Sequence, residues 1–372
     1  MKKIALVIAA LLLAAVLYIK FANPPQQLPE GSVSAKLLQN GPQSFVFEDV
    51  TFEDKSRKTD ATGDYKGASS RSLVTRIWYP KGEAKPGPLL IYSHGFMSSR
   101  EGGSYIAEHL ASHGWVVAAP DFPLTNYDAP GPQVAEDVVN QPEDVSFVID
   151  NVLARAASQN DVLYGRIDAE RIAKAGMSLG GMTTALAAYH PVTGDERIDV
   201  AVSIAGPTFT FARKFFEHRD IPFLMIASPI DAMVEYTSNA ADIPEKIDGA
   251  VLVTLENASH AGFSFQSRAL GFMSNADQIG CWAISGKVDT EANDRWFTAL
   301  GTPEQGIIYD VDAKLCEMDP LPPALHPLYQ QQINQLVVSS FLRCHLQQEP
   351  SQCDYLMQTI SKEVEGLSVR KS

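Results

Sequence analysis

The segment Gly176-Met177-Ser178-Leu179-Gly180-Gly181 limits what this chain can fold into more than any other stretch. An apolar run, Ile172 to Ala175, precedes it, and a helix-like segment, Met182 to Tyr189, follows. G-x-S-x-G between a strand and a helix predicts a sharp turn that lifts the serine hydroxyl above a parallel sheet. Glycines flank the serine because side chains there would meet neighbouring backbone. The bland alternative is a glycine-rich turn with an incidental serine, so the surrounding chain has to carry the argument.

That chain alternates strands and helices. Leu89 to His94 is a continuous apolar run of the kind buried on both faces of a sheet. Ser98 and Glu101 fit a capping box for a helix with Ile106 and Leu110 on one face and Gly114 as its stop. Trp115 to Ala119 is the next strand. Residues 121–141 form a Pro-rich loop at a strand's carboxyl end, where loops line sites, and are expected to shape a substrate groove. Pro142 opens a helix whose face is Val145, Val148, Ile149 and Val152. Strands follow at Val200 to Ala205, Pro222 to Ala227 and Ala250 to Leu255. The pattern predicts the α/β class, with a doubly wound, mostly parallel sheet. Residues 46–52 and 71–79 read as antiparallel edge strands at its N-terminal side. Residues 270–325 lose the pattern and read as a C-terminal insertion or a cap. A closing helix over 326–346 then carries a stripe of Ile333, Leu336, Val337, Ser340 and Phe341. The domain is expected to run over 46–372.

The ends and the charge bound the setting. Lys2 and Lys3 precede an apolar run from Ile4 to Ile19, closed by Lys20. This predicts a signal peptide or an N-terminal membrane anchor over residues 1–22. The run is slightly short for a spanning helix, which needs about 17 to 25 residues. An exported protein, periplasmic or extracellular, is expected, with residues 4–19 as a candidate tether to the inner membrane. Residues 23–45 are rich in Pro, Gln and Ser and read as a linker. Cys281, Cys316, Cys344 and Cys353 are an even set in an exported chain, which predicts two disulfides. The sequential pairing is favoured because short loops close most easily. No close CxxC pair is present, so no metal site is expected. A net charge of −14 with no basic stretch argues against a nucleic-acid partner.

A serine hydroxyl is a poor nucleophile at neutral pH. It needs a histidine base, and the histidine needs a carboxylate to fix its tautomer and stabilise the imidazolium. With the turn of residues 176–181, the order along the chain should be Ser, then acid, then His. The strand Pro222 to Ala227 runs into Ser228-Pro229-Ile230-Asp231, which puts Asp231 in the acid's place, with Glu235 and Glu256 as rivals. The strand Ala250 to Leu255 runs into a loop holding His260. Of eight histidines, only His260 has both the order and the flank. Two N–H groups should face the developing oxyanion. One belongs to Leu179, after the nucleophile. The other is expected from Phe96, in the loop after the first core strand. His94 reads as a structural residue beneath that loop.

These residues resemble a known family. The strand Leu89 to His94 with Gly95-Phe96, the segment His109 to Asp121, the turn Gly176 to Gly181, Asp231 and His260 are similar to the dienelactone-hydrolase-like α/β-hydrolases. The most similar branch is that of bacterial esterases related to platelet-activating-factor acetylhydrolases and to cutinase-like polyester hydrolases. The resemblance covers roughly residues 45–265 and the last helix. It implies the α/β-hydrolase fold and ester hydrolysis through an acyl-serine intermediate, without a cofactor. Two departures narrow it. The turn carries Ser178 where dienelactone hydrolases carry cysteine, which argues against lactones. Asp121-Phe122-Pro123-Leu124-Thr125-Asn126 differs from the acetylhydrolases' Asp-His-x-Gly-Ser loop, which argues against phospholipid-like short acyl chains. The expectation is a serine hydrolase acting on small-molecule or lipid-like carboxylic esters. The alternatives are a lipase or polyester hydrolase, and a non-catalytic module of this fold that binds a lipid or a protein.

Overall fold

The computed structural model describes residues 23–83, 85–285, 297–311 and 313–372. The expected signal or anchor over residues 1–22 lies outside them. No helix among the described residues is long and apolar enough to cross a membrane.

A nine-stranded sheet runs through the domain in the order β1-β2-β4-β3-β5-β6-β7-β8-β9. β1 (Phe45–Asp54) and β2 (Arg71–Pro80) pair antiparallel, and β2 joins β4 (Val116–Pro120) antiparallel. The edge strand β1 alternates exposed and sheltered residues, as a strand with one wet face must. β3 (Gly87–Ser93), β4, β5 (Ile167–Met177), β6 (Ile198–Ile204), β7 (Phe223–Ala227) and β8 (Val251–Leu255) are parallel. Every residue of β3 is buried. Alternate side chains feed opposite layers: Leu89 and Ile91 join one core, Leu90 and Tyr92 the other.

Helices cover both faces. α1 (Ser104–Ser112) and α5 (Pro327–Leu346) pack on one, α2 (Gln141–Ala157) and α3 (Leu179–Tyr189) on the other. Val145, Val148, Ile149 and Val152 of α2 are fully buried, each worth about 1.5–3 kcal/mol in apolar area removed from water.

Several elements differ from the sequence reading. No capping box starts α1. Residues 97–103 stay outside the helix, and Glu101 instead pairs with Arg76 Nη1 on β2 at 2.8 Å. Gly114, at φ 93°, does end that helix region. The stretch 23–45 holds more structure than its composition suggests. It contains a one-turn helix, Val33–Leu37, and Glu363 accepts the N–H groups of Val33 (3.0 Å) and Ser34 (2.8 Å). A final strand, β9 (Leu367–Lys371), pairs antiparallel with β8. Its five residues have too short a pattern to read as a strand in isolation.

The described part of 270–325 lies against the domain. Phe297, Leu300 and Ile307 enter the core beside Phe211 and Phe215, and α4 (Asp277–Ile284) sits beside the loop that follows β7. The disulfides follow the sequential pairing, Cys281–Cys316 and Cys344–Cys353.

Candidate active site

The sheet order places the loops. β3 and β5 are neighbours although β4 lies between them in sequence, and crevices form where strand order reverses. Ser93 at the end of β3 pairs with Gly176 at the end of β5, so the loops 94–96 and 177–179 emerge side by side. β7 and β8 are also neighbours, which brings the loops holding Asp231 and His260 together.

β5 ends at Met177 and α3 begins at Leu179, so Ser178 alone makes the turn. Its φ of 56° and ψ of −125° fall where L residues rarely sit, a strain of order 1–3 kcal/mol. Main-chain bonds hold the turn. Ser178 N–H donates to the Ile204 carbonyl of β6 (2.8 Å), and Gly181 N–H donates to the Ser178 carbonyl (2.7 Å). A Cβ on Gly180 would run into the Ser93 carbonyl, so only glycine lets α3 start this close to β3. A Cβ on Gly95 would lie 3.1 Å from the Ser178 Cβ, which measures how near the two loops come. Ser178 itself is partly exposed between the buried Met177 and Leu179.

Beneath the turn, Lys174 is fully buried. Its Nζ donates to the Ala175 carbonyl (2.7 Å) and to Thr184 Oγ1 (3.2 Å), and burial pushes its pKa well below the usual 10.5. The run Ile172 to Ala175 is therefore buried throughout but not wholly apolar.

Two N–H groups flank Ser178. Leu179 is the first residue of α3, a position with no intrahelical acceptor for its N–H. Among the described residues, neither its N–H nor that of Phe96 donates to a protein acceptor. Phe96 is half-buried, its ring against the core. The loop beneath it rests on His94. His94 Nδ1 lies 2.8 Å from the Gly95 carbonyl, and Nε2 accepts the Phe122 N–H (3.1 Å). That assignment makes Nδ1 the protonated nitrogen of a neutral ring. Burial, partly offset by Asp121, holds its pKa below 6.5. His94 is thus structural, as its position in sequence suggests.

Asp231 and His260 form a buried pair, with Asp231 Oδ2 2.8 Å from His260 Nδ1. The other carboxylate oxygen accepts the N–H groups of Met233 (2.9 Å) and Val234 (2.7 Å), which locks the acid's orientation. Glu235, a rival acid, instead caps the short helix Tyr236–Asn239 through the Ser238 N–H (2.8 Å). Burial lowers the pKa of His260. The charge and hydrogen bond of Asp231, with the charge of Asp277, outweigh this and set it above 6.5. With Nδ1 engaged by Asp231, Nε2 is the ring nitrogen that makes no hydrogen bond among the described residues.

The loop after His260 is clamped from several sides. Gln330 on α5 bonds both the N–H (3.1 Å) and the carbonyl (2.7 Å) of Ser259. Tyr105 Oη donates to the Phe263 carbonyl (2.8 Å). Phe265 N–H donates to the Gly102 carbonyl (2.9 Å), which joins this loop to the one that carries Phe96. Asp277, at the start of α4, accepts N–H bonds from His260 (2.9 Å), Ala261 (2.7 Å) and Ala232 (3.3 Å). Gln330 and Asp277 escaped the sequence reading. A polar residue on a buried helix face and a lone aspartate in an irregular stretch carry no spacing signal.

The loop 121–141 contributes Asp121, Pro123, Asn126 and Asp128 to a cavity of about 360 Å³, with Tyr65 and Arg100 on its other side. None of Ser178, Asp231 or His260 lines it. Among the described residues, no cluster of His, Cys, Asp and Glu could hold a metal ion.

Residues 61–279, more than half of the chain, match the family described as "PETase: PET hydrolase-like". The chain is similar to cutinase est1 of Thermobifida alba, 27% identical over 295 residues that cover 78% of this chain and 86% of that protein. It is 25% identical to cutinase 1 of Thermobifida cellulosilytica, covering 78% of this chain and 97% of that one. Among solved structures, a ferulic acid esterase from Streptomyces cinnamoneus superposes with a TM-score of 0.58 at 19% identity. That superposition covers 89% of this chain and 97% of the other, and shows the same α/β-hydrolase fold. By the match over residues 61–279, this chain belongs to the PET hydrolase-like family.

Proposed function

We propose that this protein is a serine hydrolase of carboxylic esters. The carrying observation is the buried Asp231–His260 pair (2.8 Å). Its loop is tied to the one presenting Phe96, which itself lies against the Ser178 turn. The family match and the likeness to proteins named as cutinases support the same reading. In this scheme Ser178 Oγ attacks the ester carbonyl while His260 Nε2 takes its proton. Asp231 holds the imidazolium, and the N–H groups of Phe96 and Leu179 receive the oxyanion. His260 then protonates the departing alcohol. A water deprotonated by His260 attacks the acyl-serine, releases the acid and restores Ser178. The steps balance with water alone as co-reactant. We place the protein outside the cytoplasm, which suits its two disulfides.

Polyester hydrolysis is a second reading, favoured by the family's description. One experiment addresses both. A fluorophosphonate probe is expected to label the protein at a single peptide containing Ser178. Turnover is then measured on p-nitrophenyl esters from acetate to palmitate and on an aromatic polyester film. Release of monomers from the film selects the polyester reading, and activity confined to soluble esters selects the simple esterase. Absence of both labelling and turnover in the folded protein would sink the proposal.

The pH profile follows from His260. Its neutral form is the base, and its pKa is raised above 6.5. Activity is therefore expected to be low at acid pH and to rise along a limb whose midpoint in kcat/KM lies above 6.5. A limb centred below that value in a pH–rate series would overturn this expectation for His260.

A further inference from the structure

We propose that Asp277 is a positioning residue, which holds the acid loop and the base loop in register for proton transfer. This rests on the reading of Ser178, Asp231 and His260 given above. Asp277 is fully buried at the start of α4, in the stretch 270–325 and outside the strand-and-helix pattern that supplies the other three. Its side chain touches neither imidazole nitrogen, so it acts through the main chain. Oδ2 accepts the N–H of His260 itself (2.9 Å) and the N–H of Ala232 (3.3 Å), the residue after Asp231. Oδ1 accepts the N–H of Ala261 (2.7 Å). One carboxylate thus spans the loops that follow β7 and β8. The bond between Asp231 and His260 has to hold its geometry while charge appears on the ring. Ser228 Oγ also joins the two loops, through the Ile230 N–H (3.3 Å) and the Glu256 carbonyl (3.4 Å), but it bonds neither His260 nor the residue after Asp231, as Asp277 does.

The surroundings make the clamp rigid. The Asp277 N–H donates to Asn275 Oδ1 (2.9 Å), and Asn275 Nδ2 donates to the Pro322 carbonyl (2.9 Å). The carbonyl of Ala232 accepts the N–H of Cys316 (2.6 Å), whose disulfide partner Cys281 lies on α4. Ala232 is therefore held at both its N–H and its carbonyl by this stretch. Both oxygens of Asp277 accept N–H bonds, which is the pattern of an ionised carboxylate, while burial and the charge of Asp231 push its pKa above 3.8. Its charge then acts on the imidazole beside that of Asp231. These are the charged groups facing His260 among the described residues, from the loop after β7 and from α4.

Asn at this position presents an NH₂ group where one oxygen accepts now, so at least one backbone N–H loses its partner and the charge is gone. The test uses the full chain with Asp277→Asn. Active serines are titrated with the fluorophosphonate probe, so that kcat is expressed per reactive site. The expected result is a kcat per site about 10- to 100-fold lower with KM little changed. The acid limb of kcat/KM moves to lower pH. An unchanged kcat per site, with fewer reactive sites, is what a purely structural role would give, and it would overturn the proposal. So would an acid limb that stays in place. If Asp277→Asn does not fold, Asn275→Ala frees the main chain of Asp277 while keeping its carboxylate. A loss of kcat per site then supports the positioning role, and wild-type turnover per site overturns it. Failure of the underlying reading is told apart by Ser178→Ala. If that variant keeps near wild-type turnover, Ser178 is not the nucleophile, whatever Asp277 does.

Discussion

Ser178→Ala is expected to lower kcat on p-nitrophenyl acetate by about 10⁵-fold or more, with KM nearly unchanged. Oγ is the atom that forms the covalent bond, and alanine offers no replacement. The free N–H groups of Phe96 and Leu179 remain, so a residual acceleration over water should persist, as it does when one member of such a triad is removed. The fold should survive. The hydrogen bonds that hold the turn are main-chain ones, to Ile204 and from Gly181, and alanine keeps the same Cβ. The measurement is stopped-flow and steady-state turnover, with the thermal midpoint as a control for folding. A folded variant with near wild-type turnover would remove Ser178 from the chemistry.

The largest stability effect is expected at Arg71, the first residue of β2. Its guanidinium is 1% exposed and bonds two carboxylates. Nη1 and Nη2 reach the oxygens of Asp137 (3.1 and 2.9 Å), while Nε and Nη2 reach those of Asp144 (2.8 and 2.6 Å). Burial works against its charge, and the two carboxylates overcome this and hold its pKa above the usual 12.5. Asp144 is in the first turn of α2, so the network ties an edge strand to that helix. Arg71→Ala leaves two buried carboxylates short of their cation, with Arg57 still holding Asp144 at 2.7 Å. A loss of about 3–5 kcal/mol is expected, because breaking a buried pair from one side strands a charge. Urea unfolding followed by circular dichroism reads it. A change under about 1 kcal/mol would mean that water or rearrangement relieves the carboxylates, as at an exposed pair. Turnover should fall little in the fraction that remains folded, since Arg71 bonds none of the site residues.

What the sequence determined by itself was local in origin. The run Leu89 to His94, the face of Val145, Val148, Ile149 and Val152, and the Gly-flanked Ser178 follow from periodicity and turn chemistry. Those need only neighbours along the chain. The places of Asp231 and His260 were legible because chain order in a doubly wound sheet maps onto strand ends. The two disulfides were legible because short loops close readily. The tertiary structure alone decided the rest. Residues 97–103 stay out of α1 because Glu101 finds Arg76 across the sheet rather than a local backbone N–H. Residues 33 and 34 are ordered by Glu363, hundreds of residues away. β9 exists because the edge of β8 offers it unpaired backbone. Asp277, Gln330 and Arg71 gain their roles from partners that only folding brings near. A buried polar residue is fixed by the groups it must satisfy, and those groups have no signature at its own position in the sequence.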